Sequence, residues 1–227
     1  VSTDLSQLII AKTGGATVTM SVALSKVFLL YVQSGTLFTS TYGVTQDPVG
    51  GFLIIDDGAT LKLGGINSLP AFSGYGLDAN SNVDYAGTTQ SIANAAVYGN
   101  LWITAAGNKN AIVSFTTLGN FTLTAGNFTS AITVTHYIGG NWLMTGGTFT
   151  NTNITIQLNG TSDQSISSTG AFKNLTINKA SGLATLASNI TINTTLTFTN
   201  GRINVLGYDL TIASTGTIAG YTSAKYV

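Results

Sequence analysis

GNFTLTAGNFT, residues Gly119–Thr129, writes nearly the same four letters twice in eleven positions. Each copy is formally a glycosylation sequon, at Asn120 and at Asn127. Each is also an asparagine that leads into alternating apolar residues and threonines. Sugar acceptors, an ice-type threonine face and a repeating backbone would all produce such a string, and its surroundings decide between them.

The unit x-Asn-apolar-x-apolar recurs as GNLWIT from Gly99, GNFTLT from Gly119, GNWLMT from Gly140, KNLTIN from Lys173, SNITIN from Ser188 and YDLTIA from Tyr208, with NITIQ from Asn153 as a looser member. Several steps, such as Asn100 to Asn120 and Asn120 to Asn141, share one period, and the shorter steps Asn141 to Asn153 and Asn174 to Asn189 interrupt it. Alternation of period two marks half-buried strands, with Leu101, Ile103, Phe121, Leu123, Trp142 and Met144 on one face and Trp102, Thr122 and Leu143 on the other. Strands this short cannot bury an apolar face alone, so copies must stack. Hairpins would reverse direction after two to five residues, whereas here the motif returns in the same sense. The expected fold is therefore all-β, a parallel β-helix (β-solenoid) with about 20 residues per coil and about eleven coils, with apolar ladders inside and asparagine ladders at the corners. A sandwich of short strands is the rival. In the favoured fold GNFTLT is one wall, and GNFT from Gly126 is the next side of the same coil, equivalent to GGTFT at residues 146–150.

Longer repeats overlie the short one. AGTTQSI and YGNLWI match NGTSDQSI and FKNLTI at one shared offset, which carries Gln90 to Gln164 and Asn100 to Asn174. SQLIIAKTGG matches KNLTINKASG at an offset that carries Lys12 to Lys179, and SGTL from Ser34 matches NGRI from Asn200 at one less. Residues 1–227 thus form a single solenoid domain, expected to be a fragment of a longer repetitive protein. It reads as one module of about 167 residues plus the start of the next. The equivalence of Lys12 and Lys179 predicts a surface corner.

Composition agrees. Only 7% of residues are charged, the net charge is zero, and every acid is Asp. Such a chain lacks the basic patches that nucleic acid and anionic membranes require. With 44% hydrophobic residues it is not disordered. Threonine makes up about a sixth of it and 27 glycines supply turns, while helix formers are scarce. There is no cysteine. The longest apolar run, VFLLYV from Val27, is far too short to span a bilayer.

The succession LKLGGINSLPAF (61–72), LDANSNVDYAGTTQSI (77–92), YGNLWI (98–103), FKNLTINKASG (172–182) and LTFTNGRINVLGYDLTIASTGTIAGY (196–221) resembles a known kind of module. It is similar to repeats of very large secreted and cell-surface, adhesin-like proteins of gliding and environmental bacteria, of the type IX-secreted type. The resemblance covers nearly the whole chain. It implies a β-solenoid shaft at the bacterial cell surface, built of structural rather than enzymatic modules, with neighbouring modules or other copies of the chain as partners. It carries no functional residues across.

No catalytic site is expected. Among the eight aspartates only Asp56 and Asp57 are adjacent, and with Gly58 following them they read as a turn. His136 is the only histidine, expected in a wall or on the surface, and no cluster exists to hold a metal or other cofactor. The alternative to a shaft is a β-helix that binds or cleaves carbohydrate, with Trp102, Tyr98 and Tyr85 as an exposed aromatic strip for sugar rings, beside Asp84 or Asp78. Against it, residues 67–95 read as an insertion that covers Trp102. An ice-binding face is a minor alternative, since only Thr122 and Thr124 supply both threonines of a strand. The seven sequons, at Asn120, Asn127, Asn153, Asn159, Asn174, Asn189 and Asn193, are what the coil motif writes by itself.

Overall fold

The computed structural model describes residues 2–93 and 96–227. Its 29 strands stack almost wholly in parallel as about ten coils of roughly 21 residues, a β-solenoid. At the ordinary interstrand spacing this makes a rod about 48 Å long. The described residues contain one 3-10 turn, Thr13–Gly15, and no helix long and apolar enough to cross a membrane.

Each coil has up to three sides, taken in the same order. The entry wall comes first, formed low down by Ser2–Asp4, Ala23–Val27 and Val44–Gln46 and higher up by Gln90–Ile92, Asn108–Ala111, Asn127–Thr129 and Thr148–Thr150. A split wall follows. Its lower sheet holds Gln7–Ala11, Leu29–Ser34, Phe52–Ile55 and Gly74–Leu77, and its upper sheet starts at Val97–Tyr98 and Thr116–Thr117. The long wall completes the coil as one ten-stranded sheet from Thr17–Thr19 to Ile203–Asn204.

Register places like residues over like. On the long wall, Leu37, Leu61, Val83, Leu101, Phe121, Trp142, Ile166 and Leu186 form one inward column, every member buried. Where the coils are richest in aromatics, the column becomes a stack. Phe121 and Trp142 lie 4.4 Å apart at 11°, and Phe128 and Phe149 lie 5.7 Å apart at 15°. Burial of such rings is the main stabilising term available to a chain without disulfides.

Both halves of GNFTLTAGNFT fall where the period puts them. Phe121–Leu123 pairs with Trp142–Met144 on the long wall, and Asn127–Thr129 pairs with Thr148–Thr150 on the entry wall. The corner asparagines do form a ladder, Asn82, Asn100, Asn120 and Asn141. It runs mainly from amide oxygen to backbone: Asn100 Oδ1 accepts the Asn120 N–H at 2.7 Å, Asn120 Oδ1 accepts that of Asn141 at 2.7 Å, and Asn141 Oδ1 that of Ser165 at 2.6 Å. Five of the seven sequon amides (Asn120, Asn127, Asn153, Asn174 and Asn189) bond to a neighbouring coil in this or a similar way.

The short step from Asn141 to Asn153 has a structural cause. The units at Asn100, Asn120 and Asn141 enter the long wall, while those at Asn153 and Asn174 enter the split wall, where Ile156 pairs with Leu175. The motif encodes a corner followed by a half-buried strand, and every side needs one. The long repeats obey the same geometry. The step from Gln90 to Gln164 is three coils and two further sides, so Gln90 lies on the entry wall and Gln164 on the long wall. The step from Lys12 to Lys179 is eight whole coils: Gln7–Ala11 and Phe172–Asn178 both lie on the split wall, eight turns apart.

Candidate functional site

Trp102 stands on the outer face of the long wall, half-buried, in the column Phe38, Lys62, Asp84, Trp102, Thr122, Leu143 and Ser167. The carboxylate of Asp84 beside it is sealed. Thr104 Oγ1 donates to its two oxygens at 2.7 and 3.0 Å, and the Lys62 ammonium sits 3.6 Å away while also lying over the Phe38 ring. Burial pushes the Asp84 carboxyl above its usual range, against the opposing pull of Thr104 and Lys62. Asp78 is exposed at the corner before the long wall, so the two acids do not form a pair across a cleft.

Tyr85 and Tyr98 are not part of an exposed strip. Both are fully buried inside the solenoid, with their hydroxyls 3.3 Å apart, and burial pushes the Tyr85 phenol up to about 12 and that of Tyr98 well above its ordinary value. The signal was present in the sequence. SNVDYA, from Ser81, is another copy of the asparagine unit, and its alternation turns Val83 and Tyr85 inward beside Leu61 and Leu63. The segment expected to cover Trp102 is likewise no insertion. Residues 67–93 form a turn of the solenoid with strands Gly74–Leu77, Asn82–Tyr85 and Gln90–Ile92, while Asn94 and Ala95 lie outside the described residues.

His136 points inward, between Val134 and Ile138. Its ring stacks on Phe115 at 3.9 Å, and Nδ1 accepts the Phe115 N–H at 3.4 Å. Burial lowers its pKa to about 3, which makes it a neutral core residue and no proton shuttle at ordinary pH. Asp57 and Gly58 form the expected turn, Gly58 at φ 74°, and Asp57 accepts both the backbone N–H and the side-chain amide of Asn80. Among the described residues no group of three His, Cys, Asp or Glu could hold a metal ion.

Lys179 is not at a surface corner. Its side chain is buried, and its ammonium donates to Gly160 O at 2.7 Å, Ser162 O at 2.8 Å and Gln164 Oε1 at 2.8 Å. Lys109 does the same with the carbonyls of Gly87, Thr88, Ala105 and Ala106 at 2.9 to 3.2 Å. Burial lowers both ammonium pKa values. Each cage grows from one copy of the AGTTQSI phrase, where Gln90 Oε1 accepts the Gly87 N–H and Gln164 Oε1 the Gly160 N–H. Lys12, the equivalent of Lys179 in the long repeat, is exposed in the first coil.

Threonines do line one outer face, on the upper sheet of the split wall. Thr135, Thr155, Asn174, Thr195 and Thr217 make one column. In the neighbouring column Thr116, Tyr137, Gln157, Thr176 and Thr197 differ in size, and the longer side chains of Tyr137 and Gln157 break a flat array.

The lower sheet of the same wall is different. Ile9, Phe28 and Phe52 are 48%, 47% and 50% exposed, and Leu29, Tyr31 and Ile54 are half-exposed beside them. This apolar face was hidden in VFLLYV, whose alternation sends Leu30 and Val32 inward and Phe28, Leu29 and Tyr31 outward or to a corner. Neither a family model, a curated protein nor a solved structure matches this chain.

Proposed function

We propose that the chain is a structural, non-enzymatic shaft: a stiff extracellular β-solenoid segment of a bacterial surface adhesin or filament, whose partners are neighbouring modules or other copies of itself. The observation that carries this reading is the whole number of coils in the long repeat. Eight turns separate Gln7–Ala11 from Phe172–Asn178, so successive modules would resume on the same wall and stack along one axis without a kink. The sealed carboxylate of Asp84 and the buried imidazole of His136 support a role without acid–base chemistry. Adhesin, secretion and surface location rest on the resemblance in the repeat phrases.

The test is a tandem of two and three modules imaged by electron microscopy. A shaft grows as a straight rod by about 38 Å for each module of eight coils. Bent or bead-like particles would overturn the reading, and antibody labelling of intact source cells tests the surface location.

A further inference from the structure

The lower sheet of the split wall presents an uncovered aromatic and aliphatic surface. Two outward columns make it, Gln7, Leu29, Phe52 and Gly74, and beside them Ile9, Tyr31, Ile54 and Gly76. Phe28 closes the first at the corner, its ring 6.2 Å from that of Phe52 and nearly perpendicular to it. The upper sheet of this same wall fills the corresponding positions largely with threonine and asparagine. An exposed apolar face on a charge-poor rod is a liability unless something uses it.

Three features say what it takes. Phe52 lies down over Gly74: a Cβ at Gly74 would come within 2.6 Å of ring atoms Cδ1 and Cε1. The ring thus occupies the space of the absent side chain and turns a face to solvent. Polar groups border the strip on both sides. On one, Tyr31 Oη donates to Asp56 Oδ2 at 2.6 Å, leaving the other carboxylate oxygen for an outside hydroxyl. On the other, Gln46 Oε1 accepts from the backbone N–H and hydroxyl of Ser73 at 2.8 and 3.3 Å. The area is also small. Four strands of four residues measure about 14 by 13 Å at standard spacings, well below the roughly 800 Å² per partner of a stable protein interface.

We infer that this face, Phe28, Tyr31, Phe52 and Ile54 with the rim of Asp56 and Gln46, is a binding site for a β-linked oligosaccharide of gluco-configured pyranoses. Such rings carry all substituents equatorially, so they present flat C–H faces to an aromatic platform and hydroxyls to a polar rim. The strip runs up the rod across four coils, which aligns the saccharide with the axis. The shaft would then also hold glycan along its side, and this site stands whether or not modules stack in tandem.

Isothermal titration of the full chain with cellohexaose and with chitohexaose tests it. One of the two binds, Phe52→Ala weakens binding about tenfold, the worth of one stacked ring, and Tyr31→Phe about threefold, the worth of one modest hydrogen bond. Gly74→Ala keeps the ring but lifts it off the sheet, and it weakens binding with an unchanged melting temperature. Trp102→Ala binds as the parent does. The proposal is overturned if neither hexasaccharide gives heat, if Phe52→Ala and Gly74→Ala bind as the parent, or if Trp102→Ala is the variant that loses binding. Sedimentation velocity adds one more way to lose: a dimer that Phe52→Ala abolishes would make a second copy the occupant.

Discussion

The two sheets of the split wall share one backbone plan and distribute their side chains in opposite ways. In the lower coils the core is mostly aliphatic, built of Leu30, Val32, Leu37, Leu53, Ile55, Leu61 and Leu63 with Phe72 and Tyr75 at its edge, while Phe28, Tyr31 and Phe52 face outward. In the upper coils most rings are inside (Phe115, Phe121, Phe128, Trp142, Phe149, Phe172 and His136), and threonines, Asn174 and Gln157 face outward with Tyr137 among them. Either filling closes a coil of this size. The outward face is therefore free to vary without cost to the fold, and the lower sheet uses that freedom for a surface able to bind.

The sharpest break of the comparison is to remove one ring from each region. Trp142→Ala deletes a fully buried ring stacked on Phe121 and packed against Phe149 and Phe172, and it lowers stability by about 3–5 kcal/mol. Phe52→Ala, at 50% exposure, changes it by about 0.5 kcal/mol. Urea denaturation of the two variants measures both. Equal losses would mean that the lower rings are structural after all.

Two lysines give the next largest contrast. Lys179→Ala leaves Gly160 O, Ser162 O and Gln164 Oε1 without their donor and costs about 2–3 kcal/mol. Lys26→Ala, which removes an exposed ion pair with Asp4, leaves stability nearly unchanged. Thermal melts of the two variants check the difference, which follows from the burial of one ammonium and the exposure of the other.

The smallest effect is a pH slope confined to the upper coils. His136 is neutral in the folded protein with a pKa of about 3, and in the unfolded chain it titrates at its ordinary 6.5. The unfolded state therefore binds the extra proton, and the stability present above pH 6.5 is lost as pH falls from 6.5 toward 3. At pH 5 the loss is about 2 kcal/mol. Denaturation midpoints at pH 7 and pH 5 measure it, and His136→Phe removes the slope. A slope that survives this substitution would place its origin elsewhere.

Much of the architecture was legible. Alternation within GNFTLT, the return of the motif in one direction and the scarcity of helix formers together favour stacked parallel strands over the rival sandwich, since stacking copies in one sense buries the short apolar faces. The sequons resolve in the same way, because an asparagine at a coil corner satisfies the backbone of its neighbour. The site was much less legible. Alternation puts Trp102 on the correct face, but closeness in sequence offers Tyr85 and Tyr98 as its companions, and both lie in the core. In a solenoid, closeness along the chain says little about side, and the neighbours of Trp102 are Asp84 and Thr122, one coil below and one above.

The sequence by itself determined the coil: its period, its inward columns and its asparagine corners follow from local alternation and turn chemistry, which short-range forces set. Only the tertiary structure decided which side of the coil each repeat occupies and what lies above and below it. The shorter of the two long repeats rotates by two sides, while the longer returns to its own wall. Similar phrases thus meet different neighbours, with Gln90 on the entry wall and Gln164 on the long wall. The apolar face around Phe52 belongs to this second kind of fact, since it exists only where four strands far apart in the chain lie side by side.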